Sequence, residues 1–123
     1  MKISLDGGTA TYRIVSYAAG WIVVNDQTLT RSAVVLPEQL IQDWPPQRFS
    51  ELAAAHFARI AALHPEIVLL GTGSQLRFPD AAVLSPLYDA GIGVEVMDTG
   101  AACRTYSILM AEGRAVAAAL LLL

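Results

Sequence analysis

Lysine and cysteine are nearly missing from this chain, and charge as a whole is scarce. Lys2 is the only lysine, Lys and Arg together number 8 against 11 Asp and Glu, and the net charge is −3. With no basic cluster, a phosphate-backbone interface is excluded and nucleic acid is not an expected partner. The single cysteine, Cys103, excludes an intrachain disulfide and fits a reducing compartment. His56 and His64 are set apart from each other and from that cysteine, and make no recognisable metal site. Neither a metal nor a cofactor is expected. Long apolar runs are also missing. Ala115–Leu123 is the longest, about half of the roughly 20 residues that a membrane-spanning helix needs. The opening Met1–Gly8 has no apolar h-region, so no secretory signal is expected. These absences together set the expectation of a cytoplasmic protein without an integral membrane segment.

What is abundant is apolar surface. Hydrophobic residues make up 54% of the 123 positions and charged ones 15%. A sheet buried on both faces produces that balance, because its strands read as continuous apolar runs. The length suits one domain over residues 1–123 with one core.

The first half reads as β. Tyr12–Ala18 and Trp21–Val24 flank the turn signal Ala19-Gly20, Asn25-Asp26 makes a second turn, and Gln27–Leu36 forms a third stretch before Pro37. Short polar turns between three strands predict an antiparallel meander. Pro37–Arg48, with Trp44-Pro45-Pro46, is expected to be a surface connection rather than helix or central strand. Trp21, Trp44 and Tyr17 are candidates for partial exposure, where aromatic rings serve interfaces.

The second half alternates helix and strand. Ser50 is the expected N-cap of a helix whose stripe is Phe49, Leu52, Ala53, His56, Phe57, Ile60 and Ala61, with Pro65 ending it. Glu66–Leu70 reads as a buried strand entering the loop Gly71-Thr72-Gly73-Ser74. A second helix is expected within Asp80–Ala90, with Pro86 awkward inside it and Gly91 suited to the left-handed position that follows. Gly93–Met97 is the next strand. Asp98 or Thr99 caps a third helix reaching about Glu112, with Ala102, Tyr106, Leu109 and Met110 as its stripe, and Ala115–Leu122 is the last strand. Strands alternating with helices of about ten to fifteen residues imply βαβ units and parallel pairing. The predicted architecture is α/β: a mixed central sheet with helices on its faces, the meander supplying edges or a second layer.

Two segments that follow strands are the candidate ligand-binding site: Gly71, Thr72, Gly73 and Ser74, and Asp98, Thr99, Cys103 and Arg104. α/β proteins place ligands at the C-terminal ends of parallel strands. The first segment lacks both the third glycine of a dinucleotide loop and the lysine of a phosphate loop, so a tight turn is the favoured reading. Asp98-Thr99-Gly100 matches the triplet of aspartic proteases, but it runs into a helical stripe, and capping accounts for Asp98 and Thr99 without catalysis. Helix dipole and Arg104 together would lower the thiol pKa of Cys103, and His56 or His64 would have to serve as its base. Small-side-chain packing in an Ala-rich helix is the simpler reading of Cys103. Arg104 opposes the dipole, so it points to solvent, pairs with a carboxylate such as Asp98 or Glu112, or holds an anion. No catalytic residue is assigned.

Val68–Gly73, Gly91–Thr99, Ala102–Leu109, Glu112-Gly113-Arg114 and Ala118–Leu121 occur in an order that resembles a family of unknown function. That family includes the mitochondrial complex I assembly factor 3 and bacterial and archaeal relatives. Ser107 departs from the asparagine common at that position. The resemblance implies a three-layer α/β fold with extra N-terminal strands and no established catalytic residues. It also implies protein partners or self-association. A protein-interaction or assembly factor is therefore the expected function, and a small-molecule or anion-binding protein or enzyme the alternative.

Overall fold

The computed structural model describes residues 11–123; the reading of Met1–Gly8, Lys2 included, lies outside them. Eight strands and three α-helices form two sheets among the described residues. A three-stranded antiparallel sheet holds β1 (Ile14–Ala18), β2 (Trp21–Val24) and β3 (Gln27–Leu29). The larger sheet holds β4 (Ala33–Leu36), β5 (Gln39–Ile41), β6 (Ile67–Thr72), β7 (Gly93–Met97) and β8 (Val116–Leu121), in the order β5-β4-β8-β6-β7. β6 runs parallel to both neighbours, whereas β4 joins β8 antiparallel. The mixed central sheet follows the predicted architecture.

Side-chain alternation assigns each residue to a layer. Val34, Val68, Leu70, Ala117, Ala119 and Leu121 face α1 (Ala54–Ala61) and α2 (Ala81–Asp89), meeting Phe57, Ile60, Leu84 and Leu87. Ala33, Val35, Leu69, Val116, Ala118 and Leu120 face α3 (Thr99–Ala111) and the small sheet, meeting Ala102, Cys103, Tyr106, Ile22, Val24 and Leu29. Every one of these sheet residues is buried. This two-sided burial is what the high apolar content required.

Four expectations are corrected. Gln27–Leu36 is not one strand: it breaks at Thr30-Arg31-Ser32, and its second half crosses into the larger sheet. Ser32 fixes the break, because its buried hydroxyl donates to the Pro46 carbonyl and its N–H donates to Gln47 Oε1 at 3.1 Å. Pro37–Arg48 is not wholly a surface connection. It contains edge strand β5, and Trp44 is fully buried, its ring edge-on to Phe57 at 5.8 Å. Ser50 is no helix cap: it sits in a short 3-10 turn, Phe49–Glu51, and α1 starts only after Ala53. There His56 supplies the missing polar group, its Nδ1 accepting from the Ala53 N–H at 3.1 Å. Finally, Gly71 and Thr72 belong to β6 rather than to a loop.

Pro86 does lie inside α2. Lacking an N–H, it cannot donate to the Ala82 carbonyl one turn back, and the Ser85 hydroxyl does so instead at 2.9 Å. Gly91, at φ +72°, then closes the helix: Ile92 N–H bonds the Leu87 carbonyl and Gly91 N–H bonds that of Tyr88.

Candidate functional site at the strand ends under α3

The two candidate segments do meet. β6 delivers Gly71–Gly73 beside the first turn of α3, and Thr99 joins them. Its side-chain oxygen donates to the Leu121 carbonyl at 2.6 Å and accepts from the Gly73 N–H at 2.8 Å, while its N–H donates to the Gly73 carbonyl at 2.9 Å. One fully buried hydroxyl thus ties the C-terminal ends of β6 and β8 to α3. Gly71 permits the approach. A Cβ there would lie 2.9 Å from Thr99 Oγ1 and 3.0 Å from Thr99 Cα. The glycine is required by proximity, since its φ carries no left-handed demand; Gly73, at φ +95°, does.

The remaining polar groups are similarly engaged. Asp98 caps α3 by accepting from the Ala101 N–H at 2.8 Å, the role that capping assigns it. Thr72 Oγ1 donates to the Gln75 carbonyl at 2.7 Å and accepts from the Arg77 N–H at 3.2 Å, pinning the loop after β6. Ser74 alone of the first segment is exposed. It borders a 250 Å³ depression lined also by Gln47, Arg48, Phe49, Arg77 and the ends of β8. The Arg77 guanidinium stacks there over Phe49 at 4.2 Å. Asp98, Cys103 and Arg104 do not line that depression.

Cys103 is buried in the layer between α3 and the sheets. Burial pushes its thiol up to about 12, and the opposing pull of the Arg104 charge is smaller. Desolvation therefore outweighs the activating cation, and the group is a protonated thiol at neutral pH. Neither histidine belongs to this region: His56 is on α1 and His64 follows it, at φ +56°.

Arg104 is exposed and has no carboxylate within ion-pair distance among the described residues. Its guanidinium donates to the Tyr17 hydroxyl at 2.6 Å. This partner was missing from the sequence reading, because it comes from β1, far away in the chain, and no local signal announces it. A larger cavity, 400 Å³, was also missed. It lies at the opposite end of the sheet, where the turns around Pro37, His64 and Gly113 converge. Pro37, Pro65 and Gly113 each marked a turn in the sequence, but not that the turns meet.

Fold and site together define a three-layer α/β fold whose strand ends are closed by an internally hydrogen-bonded seam. Residues 14–121 match the profile of a family described as protein of unknown function (DUF498/DUF598), and the chain belongs to that family. Among relatives, it is 34% identical over 98% of its length to the zebrafish (Danio rerio) NADH dehydrogenase [ubiquinone] 1 alpha subcomplex assembly factor 3. It is 34% identical over 88% of its length to the cattle (Bos taurus) protein of that name. The chain spans 68% of the zebrafish protein and 59% of the cattle protein. A crystal structure of a Bordetella parapertussis protein superimposes with a TM-score of 0.86 at 40% identity, over 94% of this chain and 98% of that one.

Proposed function

We propose that this chain is a protein-binding assembly factor without catalysis of its own, acting in the cytoplasm on components of a respiratory complex. The observation that carries the reading is the set of large apolar side chains left in water beside a seam whose polar groups are engaged. Phe78 is 71% exposed and Leu76 51% exposed, both on the loop that follows β6. Exposed apolar residues grouped on one loop are what an interaction surface presents. Two relatives named as assembly factors point the same way by analogy. The test is light scattering on the purified chain together with affinity capture from extract, using the wild type and Phe78→Ser. Capture or self-association that Phe78→Ser diminishes supports the reading. A monomer that captures nothing contradicts it.

A second reading has one observation in its favour: Arg104 is an exposed cation held in place by Tyr17. An anion bound there would lose affinity in Arg104→Ala, and unchanged anion binding in that variant would dismiss this reading.

A further inference from the structure

Open sheet edges need protection, because their unpaired N–H and C=O groups invite another strand. The two sheets have four edges among the described residues: β1, β3, β5 and β7. Three are blunted. The register of β1 is broken between Ile14 and Ser16, and β3 and β5 have three residues each. β7 is five residues long, with no proline and an unbroken register to β6 from Gly93 to Met97. Gly93 N–H donates to the Glu66 carbonyl, so by alternation Glu95 and Met97 also turn their backbone toward β6. The N–H and C=O groups of Val94 and Val96 therefore point away from the sheet. Both valine side chains are half-buried, and Glu95 between them is exposed.

We propose that β7 is a docking edge for an extended segment of another protein carrying Lys or Arg between two apolar residues. This rests on the protein-binding reading above and specifies its partner's chemistry. Strand addition would give the outward groups of Val94 and Val96 their bonds. Cross-strand pairing then selects the side chains: apolar residues beside the two valines and a cation opposite Glu95. A second copy of this chain fits poorly in the register that pairs the whole strand, Gly93–Met97. Antiparallel self-pairing in which Val94 and Val96 exchange bonds sets Glu95 directly opposite the same residue of the second copy, and like charges so placed repel. The one charge on the edge thus disfavours self-association and favours a basic segment.

The test is a titration of the isotope-labelled chain with the blocked peptide Thr-Val-Lys-Val-Thr and its counterpart with Glu for Lys, following backbone amide resonances. The Lys peptide should shift Val94 and Val96 at millimolar concentration and bind about fivefold more tightly than the Glu peptide. Glu95→Lys should reverse that preference, and Val96→Pro, which removes one outward donor, should abolish the shifts. Because Glu95→Lys alters only an exposed side chain, it decides the matter should Val96→Pro fail to fold. No shift at Val94 and Val96 with either peptide, or a preference unaltered by Glu95→Lys, overturns the proposal. So does a wild-type chain that captures a protein which Glu95→Lys and Val96→Pro capture equally; the assembly-factor reading then survives. Failure of that broader reading shows differently, as a monomer that captures nothing while the peptides still shift Val94 and Val96.

Discussion

Replacing Thr99 by valine keeps the volume and branching of the side chain and deletes only its oxygen. Two buried backbone groups then lose their partner: the Leu121 carbonyl, bonded at 2.6 Å, and the Gly73 N–H, bonded at 2.8 Å. Thr99 is wholly buried, so water does not readily replace the lost bonds. A buried polar group left unpaired costs about 1–3 kcal/mol, and removing the hydroxyl's own desolvation offsets part of the sum for two. The expected loss is about 2–4 kcal/mol, or about 8–16 °C in Tm at roughly 4 °C per kcal/mol for a domain of this size. Thr99→Ser keeps the oxygen and should recover most of that stability. Urea denaturation followed by circular dichroism measures both variants. If Thr99→Val falls within about 0.5 kcal/mol of wild type, the range of an unremarkable surface change, the hydroxyl does not join β6, β8 and α3 as argued.

Gly71→Ala should destabilise by about 1–3 kcal/mol, because its Cβ would meet the Thr99 backbone at 3.0 Å; equilibrium unfolding shows this, and a neutral result would mean that α3 can shift away. For Cys103, the thiol is raised from 9.0 to about 12 in the folded chain, so above pH 9 the unfolded state releases a proton that the native state retains. Stability should therefore fall as pH rises from 9 toward 12, and Cys103→Ala should flatten part of that slope in unfolding experiments across the range. Alkylation of Cys103 should likewise track unfolding rather than proceed in the native chain, as mass spectrometry would show. Trp44 is fully buried and Trp21 is 36% exposed, so Trp21→Phe should leave a blue-shifted emission that moves red only on unfolding. Trp44→Ala should cost about 3–5 kcal/mol by thermal unfolding.

The parallel half of the fold was legible because its signals are local. Apolar runs ended in Pro65, Gly91 and Gly113, and the Asp98 cap has the sequence signature of a helix start. The ends of elements were less so. Gly71 and Thr72 look like loop residues, yet parallel pairing with Met97 on one side and Leu120 and Leu121 on the other extends β6 through them. The split of Gln27–Leu36 depends on Ser32 bonding to Pro46 and Gln47, contacts that no periodicity encodes. Trp44 beside two prolines reads as a surface loop, and its burial follows only from where α1 and Phe57 lie. At the candidate site, sequence brought Gly71–Ser74 and Asp98–Thr99 to the same strand ends. It did not show that Cys103 turns inward while Arg104 turns outward to Tyr17, because adjacent helical residues diverge by about 100° and the packing decides which one is covered.

The alanines at the centre of β8 impose a one-sided mutational tolerance. Ala117, Ala118 and Ala119 have no exposed surface, and they alternate between the two packed layers. Trimming them to glycine removes little volume, whereas any enlargement must push a helix or the small sheet outward. Larger side chains on this strand are seated only at Val116, Leu120 and Leu121, so the three central alanines set how closely the layers on either side approach the sheet.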